Sequence, residues 1–195
     1  MRREALRPAV HAALIGFVLL EPDLGKWRMA GIAFAAFVLN LLVLPLTPLG
    51  TLLRREGEPR WNGLVTYPLA VALGHALFSA EIAGLAWAVL ALGDPAAALA
   101  GGARPWKWRI PWNRRKSVAG SLAFLVVAWA AAAGLLVLSS PFAELDGPLL
   151  LLLGSMALAG ALAETLPLRD DNLPVLLAAG GVGQGMALLL AQVGR

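Results

Sequence analysis

Long apolar runs alternate with short polar breaks along most of the chain, and the runs lack the polar face that a helix of a water-soluble core would carry. A helix crosses a bilayer with roughly 20 apolar residues. On that length the pattern predicts spans at 8–20, 27–46, 61–79, 82–101, 118–138, 148–163 and 173–192. The first is short and the fourth is interrupted at Gly93-Asp94-Pro95, so six full spans with one half-inserted helix is the alternative to seven. Either count makes an all-α, polytopic transmembrane bundle of about seven helices. Neither a repeat nor a low-complexity segment divides it, so residues 1–195 read as a single domain.

Composition agrees, since 59% hydrophobic and 14% charged residues exclude an ordinary soluble domain. The mean hydropathy is +0.74. The first apolar run has no small-residue cleavage site and is followed by further spans, which predicts membrane helices and no removed leader. Cysteine is absent, so disulfides, thiolate metal sites and a cysteine nucleophile are excluded. Any chemistry uses oxygen and nitrogen groups.

Charge then orients the bundle. With seven spans, one side carries Arg2, Arg3, Arg7, Arg54, Arg55, Arg60, Arg104, Lys107, Arg109, Arg114, Arg115, Lys116 and Arg169, which is 13 of the 16 Lys and Arg residues. The other side keeps Lys26, Arg28 and Arg195. The positive-inside rule therefore puts the amino terminus in the cytoplasm and the carboxyl terminus outside. The net charge of +4 reports this orientation and contact with anionic headgroups; no soluble basic domain is present to hold nucleic acid.

The polar residues least like loop filler fall on the same cytoplasmic side. Asp94 lies in an otherwise apolar span, where a carboxylate is expensive unless paired or functional. Glu164 ends the sixth span, Asp170, Asp171 and Asn172 precede the seventh, and Lys116 with Ser117 opens the fifth in "NRRKSVAGS". Acids and a basic, hydroxyl-bearing turn at a water–lipid boundary suit magnesium-assisted chemistry on a nucleoside triphosphate: hard oxygen ligands for the ion, cations for the phosphates. Helix amino termini after Ser117 and Asn172 would add backbone donors. Structural readings stand beside these. The basic run also serves as a topological anchor; Ser117, Asp171 and Asn172 are good helix caps; His11, one turn after Arg7, and His75 read as satisfied packing residues. "GGVGQG" at 180–185 lies inside a span with no preceding strand, so it reads as close helix packing and not as a dinucleotide fingerprint.

The order of the pieces carries a resemblance. Gly93, Asp94, Ala97 and Gly101 come first; then Asn113, Lys116, Ser117, Ala119, Gly120 and Ser121; then Glu164, Leu166, Pro167, Asp171, Asn172 and Leu173. This arrangement resembles the polyprenol kinase family, which includes dolichol kinase, phytol and farnesol kinases and the CTP-dependent diacylglycerol kinase, with the phytol kinase branch nearest. Weaker matches are Arg7 with His11, and Gly63 with Tyr67 and Pro68. The resemblance implies transfer of the terminal phosphoryl group of a nucleoside triphosphate, typically CTP, to a membrane lipid alcohol (a prenol, polyprenol or diacylglycerol) at the cytoplasmic face, with Mg2+. Under it, Asp94, Glu164 and Asp171 serve the metal or activate the hydroxyl and Lys116 meets the phosphates. Asn113, Ser117, Ser121 and Asn172 orient the nucleotide, and Arg114 and Arg115 are second choices. A cytidylyltransferase forming a CDP-lipid, or a small non-enzymatic transporter, would use similar buried acids.

Overall fold

The computed structural model describes residues 13–53, 61–102, 108–139 and 145–193. Arg7, His11, the opening of the first predicted span and the cations Arg2, Arg3, Arg54, Arg55, Arg60, Arg104, Lys107 and Arg195 lie outside the described residues. A 3₁₀ segment, Ile15–Leu20, leads into the one-turn helix α1 (Glu21–Leu24). Helix α2 (Lys26–Leu42) is followed by a 3₁₀ turn, Leu44–Leu46, and by α3 (Pro48–Leu53). Then come α4 (Gly63–Leu77) and α5 (Ala80–Gly102), a hairpin of β1 (Arg109–Ile110) and β2 (Asn113–Ser117), and α6 (Val118–Ser139), α7 (Gly147–Glu164) and α8 (Asn172–Val193). The fold is an all-α bundle.

Five of its helical segments are long and apolar enough to cross a membrane: Lys26–Leu46, Ala80–Gly102, Val118–Ser139, Gly147–Glu164 and Asn172–Gln192. This is the pattern of an integral membrane protein. One of the seven predicted spans is corrected. The described part of the first, residues 13–20, is mainly the 3₁₀ segment Ile15–Leu20. The third shrinks to the 15 residues of α4, because Asn62 caps its start, accepting from Leu64 N (3.0 Å), and Phe78 is extended at its end.

The fourth span, by contrast, is unbroken through Asp94 and Pro95. A proline inside a helix removes one amide donor and leaves the carbonyl four residues earlier without its usual partner. Pro68 in α4 shows how such a carbonyl is satisfied, since Leu64 O accepts from the Asn40 side chain of α2 (2.7 Å). Around Pro95, which is itself buried, the helix is closely packed. Helix α5 is the centre of the bundle, with 72% of its spanning window buried against 11% for α2. Small residues let α6 approach it: a side chain at Gly120 would stand 3.0 Å from Ala97 O. The fully buried Phe124 of α6 packs where Gly93 of α5 and Gly160 of α7 have no side chain. In α8, Gly180 receives Phe78 and Gly183 receives Met156, whereas Gly181 and Gly185 face open space, so two of the four glycines of the run serve helix packing.

Hydrogen bonds between elements distinguish the two ends of the bundle. At one end Lys26 Nζ donates to Phe78 O (2.8 Å) and Ser79 N donates to Gln184 Oε1 (2.8 Å). At the other end Asn40 meets Leu64, and the hairpin meets the α7–α8 turn through Asn113. The second half of α8 thus lies at the Lys26 end, opposite the hairpin. A reporter fused after Arg195 is expected to be external and one placed beside the hairpin cytoplasmic; both reporters on one side would overturn this topology.

Candidate functional site

Ile110 pairs with Asn113 across Pro111 and Trp112, and Arg109 pairs with Ser117. This small hairpin was not expected from the sequence, where strands so short leave no periodic signal. Its position is set by Asn113, whose Nδ2 donates to Thr165 O (3.2 Å) and Leu166 O (2.9 Å) just beyond α7. Trp112 Nε1 adds a bond to Thr165 Oγ1 (3.2 Å). Asn113 therefore acts as a strut that presents Lys116 to the end of α7.

Lys116 Nζ donates to Glu164 Oε1 at 2.6 Å and to Asp171 Oδ2 at 2.5 Å. The Glu164 side chain is only 3% exposed, whereas those of Lys116 and Asp171 are 25% and 23% exposed. The other Glu164 oxygen, Oε2, accepts from Ser121 Oγ (3.2 Å). Burial lowers the proton affinity of the Lys116 ammonium, but the Asp171 charge and the hydrogen bonds to Asp171 and Glu164 more than offset it. The group is held above the ordinary lysine range. Its contribution to stability is complete at neutral pH and is lost only as pH rises through that elevated value.

The lysine stands at the wall of an open cleft of about 420 Å³, whose charged lining is Asp94, Arg109, Arg115, Lys116 and Glu164. Its floor is small and close to backbone: Ala97, Ala98, Gly101, Gly102 and Gly120, beside Ser117. Asp94 is half-buried, and the charges of Asp171, Lys116, Glu164 and Asp170 all act on it. Asp94 and Glu164 line the cleft, and Asp171 joins it through the shared lysine. Ser117 Oγ accepts from Gly120 N (3.1 Å), capping α6 at the cleft edge.

One expected cap is used differently. Asn172 is buried, and its Nδ2 donates to Thr66 Oγ1 (3.0 Å) and Gly63 O (3.3 Å), so it ties α8 to α4 and does not cap with its side chain. Asp170, one residue before the N-cap Asp171, accepts at Oδ1 from Asn172 N (3.3 Å) and from Thr66 Oγ1 (2.5 Å). Thr66 and Arg109 were not singled out from sequence. Arg109 becomes visible only through its cross-strand pairing with Ser117.

Among the described residues, no three acidic or histidine side chains are grouped to hold a metal by themselves. Lys116 stands between Glu164 and Asp171, two of the three carboxylates expected to serve the metal or activate the hydroxyl. Magnesium is commonly held by one or two carboxylates together with water and substrate phosphates; of the three carboxylates, Asp94 and Glu164 line the cleft and Asp171 is held by Lys116 at its wall. His75 is a packing residue, with Nδ1 against Val71 O (2.9 Å) and its ring edge-on to Trp87. No protein-family model, curated protein or solved structure matches this chain.

Proposed function

We propose that the chain is a membrane kinase that transfers a phosphoryl group from a nucleoside triphosphate, CTP in the first instance, to a lipid alcohol. The observation that carries this reading is the cleft itself. It joins three cations (Arg109, Arg115 and Lys116), two carboxylates (Asp94 and Glu164) and a glycine-alanine floor at one end of an apolar bundle. Phosphoryl transfer is mostly positioning and charge neutralisation, and a floor of glycines and alanines lets phosphate oxygens come close to backbone and cations together. The motif order that resembles the polyprenol kinases supports the same reading, and the cation distribution favours the cytoplasm for this end.

In this mechanism the triphosphate enters from water and competes with Glu164 and Asp171 for the Lys116 ammonium. Arg109 and Arg115 flank the phosphates. Ser121 holds Glu164 in place as the lysine leaves it. Asp94 and Asp171 would hold magnesium, which when bound neutralises phosphate charge. Asp94 faces the acceptor hydroxyl and takes up its proton or its hydrogen bond.

The test uses purified protein in detergent with magnesium, each triphosphate in turn and a panel of lipid alcohols. Lipid phosphate with release of the nucleoside diphosphate is expected. Pyrophosphate with a CDP-lipid would identify a cytidylyltransferase instead, and no turnover with any pair would overturn the enzymatic reading.

A further inference from the structure

We propose that Thr66 of α4 is a positioning residue for the cleft, holding the end of the α7–α8 turn so that the Asp171 carboxylate stays on Lys116. This inference rests on the phosphoryl-transfer reading and adds to it a residue that lies outside the cleft lining.

Asp171 needs such help. Its side chain and that of Lys116 are 23% and 25% exposed, and attraction between partly exposed charges holds an ion pair only weakly. Glu164 differs, because it is buried at the end of α7 and is also held by Ser121. The place of Asp171 is therefore set by its backbone.

That backbone is tethered on both sides through one hydroxyl. Thr66 Oγ1 accepts from Asn172 Nδ2 (3.0 Å) and donates to Asp170 Oδ1 (2.5 Å), reaching 106 and 104 residues along the chain. A hydroxyl has one proton to give. The carbonyl of Asn62, one helical turn earlier and 3.3 Å away, offers a local acceptor, but the Asp170 carboxylate is nearer, and a charge-assisted bond is the stronger one. The proton goes to the turn.

Burial makes the tether stiff. Thr66 and Asn172 are both buried, and a β-branched threonine has few χ1 choices in a helix. Asp171 itself starts α8, its carbonyl accepting from Val175 N (2.9 Å). The other end of the turn is held by Asn113, which belongs to the strand that carries Lys116. Two buried side chains, Asn113 and Thr66, thus fix the partners of one ion pair relative to each other.

The experiment compares the wild-type protein, Thr66→Ala and Thr66→Ser, each also combined with Asp171→Asn, as purified full-length chains. Alanine removes the hydroxyl and is a good helix former; serine keeps the hydroxyl. CTP binding without magnesium is the first readout. If Thr66 acts through Asp171, its loss frees Lys116 of one competitor for phosphate. Thr66→Ala should then bind CTP about two- to fivefold more tightly, the scale of a partly exposed ion pair. Turnover should nevertheless fall roughly 10–100-fold, as when the partner that orients a functional side chain is removed. Thr66→Ser should restore both, and with Asp171→Asn present Thr66→Ala should leave CTP affinity unchanged. General damage to the cleft would instead weaken CTP binding in both backgrounds. Unchanged or weaker binding in Thr66→Ala, or an equal effect with Asp171→Asn present, would overturn the inference.

Hydrogen exchange at the amides of residues 170–172 is the second readout and needs no nucleotide. It should quicken at least about tenfold in Thr66→Ala and stay at the wild-type rate in Thr66→Ser; no change in Thr66→Ala would overturn the tether. Should Thr66→Ala not fold, Asn172→Ala cuts the tether from the α8 side, and unchanged exchange at 170–171 in that variant would overturn it equally. The two readings fail separately. A wild-type protein that neither binds CTP nor transfers phosphoryl, with exchange as expected, would end the kinase reading alone. Phosphoryl transfer that is equally fast in Thr66→Ala would end the positioning inference alone.

Discussion

Lys116→Ala is expected to lower turnover on the order of 10³-fold, the scale of losing a preorganised donor to transition-state charge. An anchoring lysine would behave otherwise, because Arg114 and Arg115 remain beside it to hold the orientation. The same substitution removes the counter-ion of Glu164, whose side chain is 3% exposed. Breaking a buried pair costs about 3–5 kcal/mol, and the partial exposure of Lys116 and Asp171 reduces that figure through solvent screening. A lower melting temperature should therefore accompany the lost activity. Adding Glu164→Gln should recover most of the melting temperature and none of the turnover, which separates the structural role of the lysine from its role toward phosphate. Near wild-type turnover in Lys116→Ala would return the lysine to the anchor role.

Asp94→Asn should abolish most activity, by about 10²–10³-fold, with the opposite effect on stability. The substitution keeps size and most hydrogen-bonding capacity while removing the charge. Asp94 lies in the field of Asp171, Glu164 and Asp170 as well as Lys116, and close carboxylates repel one another. Removing one should leave the melting temperature unchanged or raise it. Loss of activity in a protein that is at least as stable can only come from the chemistry of the site. If the effect were confined to the KM of the lipid alcohol, Asp94 would belong to alcohol binding alone; unaltered turnover would remove it from the mechanism.

These two residues were conspicuous in sequence for a simple reason. In a chain this apolar, a carboxylate inside a span or a lysine at its mouth stands out because lipid makes such groups costly. The spans were legible on the same ground. The predicted 118–138, 148–163 and 173–192 correspond to Val118–Ser139, Gly147–Glu164 and Asn172–Val193, since a bilayer demands length and apolarity from each helix individually. Where the pattern overreached, at α4, it counted Trp61, Phe78 and Ser79 as helix, although a cap and an extended residue end the helix inside them.

Pairing across the bundle was a different matter. That Lys116 lies between Glu164 and Asp171, 48 and 55 residues away, follows from where a two-stranded hairpin is pinned by Asn113. Asn172 looked like a helix cap, and the packing of α4 turned it into a tether on Thr66. An apolar cavity between α2 and α4 left no sequence signal, because its wall is made mostly of the same apolar residues as any lipid-facing surface. Helix existence, span length and the residues too polar for their surroundings were determined by the sequence itself, since they are properties of single segments in lipid. Only tertiary structure decided which charge neutralises which and where space is left, because both depend on distances set by how close the glycines of α5, α6 and α7 let their helices come.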